Sequence, residues 1–257
     1  MIKRIKATHQ RLNCASIFTG SYLRSAAHFT AFKLNKKATV RGRLGDIPFY
    51  FRSADVEALK EVLVDREYSF LGELLRLHEA PKILDIGHHI GTFSLWAFCQ
   101  NPKARILGVE ADPDTVAVAE KNPRLGRQMA LDWRVIHRAA WEDDGPVSFS
   151  GGGDTMGHKV SQAGELKVQG ASFQTLIQQA GGHVHLIKLD IEGAEETFLA
   201  AAPALLQRTE SLVIEIHPKC CSEKNVLQIL QEHFDRIMPV QGRGTSKPLL
   251  WCTRTRG

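Results

Sequence analysis

The sequence of 257 residues contains no apolar run long enough to span a membrane. A membrane-spanning helix needs about 20 consecutive apolar residues, and the longest runs here have the length of a strand. Cysteine is also scarce, since five cysteines form no C-x-x-C pair and no spacing typical of a zinc site. We therefore expect a soluble, cytoplasmic protein with free thiols.

Acidic residues are absent from the first 45 positions, whereas residues 1–43 contain ten lysines and arginines. The remaining 23 basic residues are outnumbered by 28 acidic ones. Such a segment can contact an anionic membrane surface, a nucleic acid or an acidic partner. Its composition also resembles an organelle transit peptide, but we favour a solvated or docked helix. Its apolar stripe is predicted at Phe18, Tyr22, Ala26, Phe29 and Phe32.

From residue 39 the pattern alternates between strands and helices, which is typical of a parallel sheet covered on both faces. A β-hairpin is predicted at 39–52, Ser53-Ala54-Asp55 is predicted to cap a helix, and another helix is predicted over Tyr68–Leu77. Beyond Pro81 we predict strands at 82–86, 105–110, 133–138, 184–190 and 211–217, and helices near 91–99, 113–121, 173–179, 194–207 and 223–232.

The end of the chain breaks this alternation. Phe234–Val240 and Leu249–Thr253 are joined by a loop with no room for a helix, so they should pair antiparallel. Five crossover strands followed by a hairpin predict a Rossmann-like class I methyltransferase fold with a seven-stranded, mostly parallel sheet. We expect a basic extension at 1–38 and a domain at 39–257, divided into the N-terminal hairpin and helices (39–80) and the core (81–257). A glycine triplet at 151–153 indicates a loop.

A glycine-containing turn follows the first strand of the core. It lacks the Gly-x-Gly-x-x-Gly pattern of dehydrogenases, and the carboxylate of Asp85 would repel a pyrophosphate. A carboxylate instead suits the ammonium group of S-adenosylmethionine (SAM), although a merely tight turn is the simpler interpretation. Glycines allow close approach of the backbone to a ligand, and the next helix points its N-terminus there. The predicted cofactor contacts in this turn are Asp85, Gly87, His88, His89, Gly91 and Thr92.

A second candidate group lies at the end of the next strand. Glu110 follows the glycines by about 20 residues, where a carboxylate can accept hydrogen bonds from both ribose hydroxyls. Asp112 precedes Pro113 at a helix start, so it serves either as a helix cap or as a ligand contact. Trp141 either flanks the adenine or packs in the core. The predicted cofactor contacts in this group are Glu110, Ala111, Asp112, Ala139 and Ala140.

Charged residues at the end of the fourth strand indicate the side of the site that would bind the acceptor of the methyl group. Lys188 and Asp190 are two residues apart, so they share one face of a strand and can pair. In an open α/β sheet, the carboxyl ends of the strands form the ligand crevice. We predict Asp190 as the catalytic base and Glu192 as a ligand for substrate hydroxyls. Lys188 either neutralises Asp190 or only supports the structure.

Histidines offer a second base and a possible metal site. His217 ends the fifth strand and is the alternative base, although a hydrogen-bonded loop histidine is also common there. His183 and His185 alternate on one strand, but the sequence shows no third ligand. We therefore predict no metal site.

Four motifs together resemble those of the FkbM-type methyltransferases. They are Asp85-Ile-Gly-x-x-Ile-Gly-Thr, Glu110-Ala-Asp-Pro, Ile187-Lys-Leu-Asp-Ile-Glu-Gly-Ala-Glu and Val213-Ile-Glu-Ile-His. The resemblance spans residues 39–257, including the segment Arg66-Glu-Tyr. It implies SAM-dependent O-methylation of a hydroxyl, often on a sugar, glycan or secondary metabolite. The family usually reads Gly-Ala-Asn-Ile-Gly where this chain has Gly87-His-His-Ile-Gly.

Two other function classes stay open at this stage. An RNA methyltransferase could use the basic extension to bind phosphates. Enzymes that methylate amino groups of nucleic acids resemble one another in an Asn/Asp-Pro-Pro-aromatic motif, and Asp190-Ile-Glu-Gly stands in its place here. Ribose methylation remains compatible with that difference. A non-catalytic SAM-binding module is the third class, and the unusual His88-His89 pair is the feature that suggests it.

Overall fold

The computed structural model describes residues 2–126, 132–150, 159–160, 166–240 and 246–254. The α-helices in these residues are α1 Ile2–Thr19, α2 Tyr22–Leu34, α3 Val56–Leu59, α4 Gly72–Leu77, α5 Thr92–Gln100, α6 Pro113–Ala119, α7 Lys121–Gly126, α8 Phe173–Gln179, α9 Glu195–Ala201 and α10 Glu223–His233. The strands are β1 Val40–Leu44, β2 Ile47–Phe51, β3 Lys82–Ile86, β4 Arg105–Glu110, β5 Asp132–His137, β6 Ala139–Ala140, β7 Pro146–Ser150, β8 Lys159–Val160, β9 Leu166–Ala171, β10 Val184–Leu189, β11 Thr209–Glu215, β12 Arg236–Pro239 and β13 Leu249–Thr253.

The main sheet has seven strands in the order β12-β13-β11-β10-β3-β4-β5. The five strands from β11 to β5 run parallel, and the terminal hairpin of β12 and β13 joins them antiparallel. The predicted class of fold and the terminal hairpin are therefore confirmed. Because β10 lies beside β3 in the centre, Lys188 is paired in register with Asp85.

Apolar side chains cover both faces of this sheet, as expected for buried parallel strands. Ile83, Ile106 and Leu186 point into one cluster, which also contains residues of α4 and α5. Their neighbours in sequence point into the second cluster with α8, α9 and α10. The alternation along each strand thus places two helical layers around the sheet and leaves the carboxyl ends of the strands open for a site.

A second sheet of four short strands has the order β6-β9-β7-β8. The sequence analysis did not predict it. β7 pairs antiparallel with both β8 and β9, while β6 pairs parallel with β9. The glycine triplet at 151–153 lies outside the described residues.

The N-terminal segment forms two helices separated by Gly20, which has a left-handed φ of +71°. α1 packs on β1, where Gly42 permits the approach because a Cβ there would lie 3.1 Å from Cβ of Phe18. The predicted apolar stripe is only partly confirmed. Phe18 is buried, but Tyr22 is exposed, and Ser25 and His28 are the buried residues of α2. The boundary at residue 38 stays a prediction.

The segment between the hairpin and the core is less regular than predicted. Ser53–Asp55, predicted to cap a helix, forms a 3-10 turn that leads directly into α3, and a π-helical turn at Lys60–Val64 follows α3. The helix predicted over Tyr68–Leu77 begins as a 3-10 turn at Ser69–Leu71. No helix in the described residues is both long and apolar enough to cross a bilayer. All five cysteines are described, and each is a free thiol.

Candidate active site

A cavity of about 380 Å³ opens at the carboxyl ends of β3, β4 and β10, within the range of volumes typical of small-molecule sites. It is lined by twelve of the predicted site residues: Gly87, His88, His89, Thr92, Glu110, Ala111, Asp112, Ala139, Ala140, Lys188, Asp190 and Glu192. Three predicted residues, Asp85, Gly91 and His217, do not line it. The sheet therefore brings the predicted cofactor side and the predicted acceptor side into one space.

The turn after β3 is wound tightly by three left-handed residues. Gly87, His89 and Gly91 have φ values of +76°, +53° and +87°. Asparagine and histidine are enriched among the non-glycine residues that adopt this conformation. The structure thus explains why histidine can stand at position 89, where the family usually has asparagine.

The carboxylate of Glu110 is held by three backbone amides. Oε2 accepts a hydrogen bond from the His89 amide at 2.7 Å. Oε1 accepts from the amides of Ala111 and Asp112 at 2.9 and 2.8 Å. Asp112 also caps α6, since its Oδ2 accepts from the Thr115 amide at 2.9 Å. The capping interpretation of Asp112 is confirmed, and the residue still lines the cavity.

Asp85 lies beneath the turn, where its carboxylate is inaccessible to solvent. Oδ2 lies 2.8 Å from Nδ1 of His88 and accepts a hydrogen bond from Oγ of Ser94 at 2.7 Å. The His88 imidazole is also fully buried, and a Cβ on Gly108 would lie 2.5 Å from its Nδ1. Asp85 therefore braces the turn from inside, and His88 fits because β4 carries a glycine opposite it.

The outer wall of the turn is fixed by a contact between His89 and a buried carboxylate that the sequence analysis missed. Nε2 of His89 lies 3.3 Å from Oδ1 of Asp55. The same carboxylate accepts from the Arg52 amide at 2.6 Å and from its guanidinium at 2.8 Å. Burial alone would raise the pKa of Asp55, but the hydrogen bonds and charges of His89 and Arg52 outweigh it and lower this pKa. The residue is therefore a carboxylate at neutral pH.

On the acceptor side, Lys188 joins the two central strands. Its Nζ donates to the Gly87 carbonyl at 2.7 Å and lies 3.6 Å from Oδ2 of Asp190, which confirms the predicted pairing. Burial opposes the charge of Lys188, but Asp190 and Asp85 outweigh it and raise the pKa of the amine. The ammonium group therefore neutralises the carboxylates of Asp85 and Asp190.

Gly87 and Asp190 come into direct backbone contact. A Cβ on Gly87 would lie only 1.6 Å from the carbonyl oxygen of Asp190, and the Asp190 amide donates to the Ile86 carbonyl at 3.1 Å. Glycine is thus required at position 87 for this approach, in addition to its left-handed φ.

His217 lies below the acceptor side among carboxylates. Its Nδ1 is 2.8 Å from Oε1 of Glu195, and its Nε2 is 3.1 Å from Oε2 of Glu192. Burial would lower the pKa of His217, but these carboxylates outweigh it and raise the pKa to about 10. Both ring nitrogens then carry protons at neutral pH, and an imidazolium has no lone pair with which to act as a base.

Within the described parts of the chain, two residue clusters have distances that would allow a metal ion. Asp190, Glu215 and His217 each place one ligand atom within 4.8 Å of the others. The proton on His217 and the ammonium groups of Lys188 and Lys247 already supply positive charge there. The donor set therefore fits an internal ion-pair network better than a metal ion.

The second cluster, His78, His185 and Glu210, includes one of the histidines considered in the sequence analysis. Nδ1 of His185 accepts a hydrogen bond from the Lys82 amide at 2.8 Å. The proton of the neutral ring must then be on Nε2, the nitrogen that faces Glu210. His185 thus has no free lone pair for a metal, and the absence of a resident metal stays a prediction.

Several cavity residues were not recognised from the sequence. Part of the wall comes from the π-helical turn and the segment after it, and part comes from the second sheet and the loop before β13. These residues are Ala58, Glu61, Val62, Tyr68, Arg138, Val168 and Lys247. Only the Arg66-Glu-Tyr segment carried a signal, through its place in the family resemblance.

A mostly parallel sheet of this strand order, with a cavity at its carboxyl edge and a strand-end glutamate beside a glycine turn, defines a class I SAM-dependent methyltransferase. Residues 85–239 match the model of the methyltransferase FkbM domain. The chain belongs to this family, and its cofactor is SAM.

Two individual proteins illustrate the relationship. The hexuronic acid methyltransferase AglP of Haloferax volcanii is 25% identical over 199 residues, which cover 74% of this chain and 80% of AglP. The crystal structure of methyltransferase FkbM from Methylobacillus flagellatus KT superimposes with a TM-score of 0.52 at 14% identity, covering 91% of this chain and 60% of that one. The latter similarity shows the fold.

Proposed function

We propose that this protein transfers the methyl group of SAM to a hydroxyl oxygen of a sugar or glycan. The observation that carries the proposal is that Glu110 and Asp190 line one cavity on the two sides of Gly87. A cofactor held at Glu110 would thus adjoin an acceptor held at Asp190. The proposed compartment is the cytoplasm, because five free thiols suit a reducing environment.

On the cofactor side, Glu110 is proposed to accept hydrogen bonds from the ribose hydroxyls. Oε1 already accepts two backbone amides, whereas Oε2 accepts only the His89 amide and retains a lone pair for a hydroxyl. The backbone of the turn and Thr92 are proposed to contact the cofactor, and Ala139 and Ala140 are proposed to contact its adenine. Asp85, His88 and Gly91 are proposed to act by shaping the turn, since the side chains of Asp85 and His88 are buried against each other and Gly91 is one of its left-handed residues.

On the acceptor side, Asp190 is proposed to take the proton of the attacking hydroxyl. Its side chain is 27% exposed, which leaves the carboxylate accessible from the cavity. Bound SAM supplies a methyl group on a positively charged sulfur, and transfer to oxygen leaves a neutral thioether. A positioned base contributes about 10²–10⁴-fold to such a reaction. Glu192 is proposed to bind acceptor hydroxyls, and protonated His217 to hold Glu192 in place.

A hexuronic acid is the first acceptor class to test. A similar protein is named a hexuronic acid methyltransferase. The Lys247 side chain lines the cavity and is 44% exposed. Burial would lower the pKa of this amine, but Glu192 and Glu215 outweigh it and raise the pKa. Its ammonium group already lies 3.3 Å from Oε2 of Glu192, and an acceptor carboxylate is proposed to join this pair from the cavity side.

The test is methyl transfer from SAM to glycosides of hexuronic acids, to the matching neutral hexosides and to short RNA, with products identified by mass. We expect transfer to the sugars, with a preference for the uronic acids that Lys247→Met reduces. Asp190→Asn should lower kcat by about 10²–10⁴-fold without changing the Kd of SAM, whereas the exposed control Asp46→Asn should leave both unchanged. Transfer to RNA alone, or SAM binding without transfer to any acceptor, would contradict the proposal.

A further inference from the structure

Exposed apolar side chains are concentrated in the N-terminal helices. Six large apolar residues in the described part of the chain are exposed, and four of them lie between positions 17 and 34. They are Ile17 (62%), Tyr22 (40%), Leu23 (80%) and Leu34 (88%). Neither the fold nor the proposed reaction accounts for them.

The exposed residues of α2 form a face of their own. Leu23, Ala27, Ala31 and Leu34 are all exposed and follow one another at steps of four, four and three residues, which places them on one side of a helix. The opposite side of α2 carries the buried Ser25 and His28. We call the exposed set Leu23, Ala27, Ala31 and Leu34 the outward face of α2.

Basic residues flank this face. Arg24 and Lys33 are exposed and lie about 65° and about 115° to either side of its centre at 3.6 residues per turn. No acidic residue precedes Asp46, whereas the chain beyond residue 43 has more acids than bases. The positive charge and the exposed apolar residues therefore coincide on one part of the molecule.

This combination matches an anionic lipid surface better than a protein surface. A helix that lies in a bilayer interface presents apolar residues to the acyl region and lysines or arginines to anionic headgroups. α2 has 13 residues, so it is about 20 Å long. One such face is much smaller than the roughly 800 Å² per partner that a stable dimer buries.

We infer that the outward face of α2 docks the protein on a membrane containing anionic phospholipids. Leu23 and Leu34 enter the boundary between headgroups and acyl chains, and Arg24 and Lys33 pair with phosphates on either side. The buried side of α2 stays against the domain, so docking requires no unfolding. This peripheral contact is independent of the identity of the methyl acceptor.

Co-sedimentation of the full chain with vesicles tests the inference. The vesicles contain phosphatidylcholine alone or phosphatidylcholine with phosphatidylserine. We expect binding to the anionic vesicles that weakens with added salt, and little binding to the neutral ones. The double variants Leu23→Ser/Leu34→Ser and Arg24→Glu/Lys33→Glu should each lower the partition coefficient by about tenfold or more.

Matched variants outside the N-terminal helices control for general changes in polarity and charge. Leu77→Ser replaces a leucine that is also exposed, and Lys224→Glu reverses an exposed charge on α10; both should bind vesicles as wild type does. Circular dichroism and thermal unfolding establish that each variant is folded. Equal binding to neutral and anionic vesicles, or no binding to either, would overturn the inference. So would a dimer, or a complex with single-stranded RNA, that the α2 variants abolish while vesicle binding is absent.

Discussion

The imidazole Nε2 of His89 lies 3.3 Å from Oδ1 of Asp55, which joins the cofactor turn to the 3-10 turn that follows the N-terminal hairpin. Asp55 is fully buried and also pairs with Arg52, and Arg52 in turn donates to Thr115 on α6 at 3.1 Å. The hairpin, the cofactor turn and the helix after β4 are therefore held by one buried carboxylate.

Replacing this carboxylate should destabilise the protein strongly. Asp55→Asn leaves the buried Arg52 guanidinium without its counter-charge, and breaking a buried pair in this way costs about 3–5 kcal/mol. Urea unfolding measures the effect. The control Asp65→Asn removes a half-exposed partner of Lys60, for which we expect at most about 1 kcal/mol. Equal losses in the two variants would contradict the role assigned to Asp55.

The left-handed conformation of residue 89 predicts which substitutions it tolerates. His89→Asn should keep SAM affinity, because asparagine adopts a positive φ readily. His89→Val should lower the free energy of unfolding by about 1–2 kcal/mol, since a β-branched residue is strained there. It should also weaken SAM binding, because the His89 amide holds Glu110. Calorimetric titration measures the affinity of both variants for SAM. An asparagine variant that binds SAM more weakly than the valine variant would refute the explanation.

Glu110 should dominate cofactor affinity. In Glu110→Gln the shape is kept but the charge is lost, and a hydrogen bond to a charged group contributes about 1.5–3 kcal/mol, which corresponds to at least about tenfold in Kd. Titration with SAM and S-adenosylhomocysteine, with NAD as the negative control, measures this. Asp114→Asn, at an exposed acid on the same helix-loop segment, should bind SAM as wild type does. An unchanged Kd in Glu110→Gln would remove Glu110 from the cofactor site.

His217 predicts a pH dependence of stability. Its pKa is about 6.5 in the unfolded chain and is raised to about 10 in the folded protein. The stabilisation by protonated His217 is therefore complete below about pH 6.5 and is lost as the pH rises towards about 10. Urea unfolding across this interval should show a smaller decline for His217→Gln than for wild type. His183→Gln, which removes an exposed imidazole, should decline as wild type does, and identical profiles for all three would contradict the assignment.

The core of the fold could be predicted because its signals are local. The strand predicted at 82–86 is β3 without any change in its bounds, since a short apolar run ends in an acid and a glycine turn. The glycines, Glu110 and Asp190 lie at strand ends, and the carboxyl ends of parallel strands share one edge. Sequence spacing therefore placed twelve of the fifteen predicted site residues at the cavity.

The remaining features depend on contacts between distant segments. Asp55 and His89 are 34 positions apart in a sequence that gives neither residue a motif linking it to the other. Lys247 reaches the cavity from the loop before β13, and β9 gains its partners only in three dimensions. In α2, periodicity predicted an apolar stripe. It did not predict which side of the helix packs against the domain and which side is exposed, because both sides carry apolar residues.

The contact between Gly87 and Asp190 makes the backbone itself the spacer between the donor and acceptor halves of the site. Because no side chain fits between the two loops, the proposed cofactor and acceptor sides of the cavity are separated at this point by backbone atoms alone. A misplacement of about 1 Å can cost about 10²-fold in rate. The methyl group of an alanine at position 87 would push the two loops apart, so we expect Gly87→Ala to lower kcat although every polar group of the cavity is unchanged.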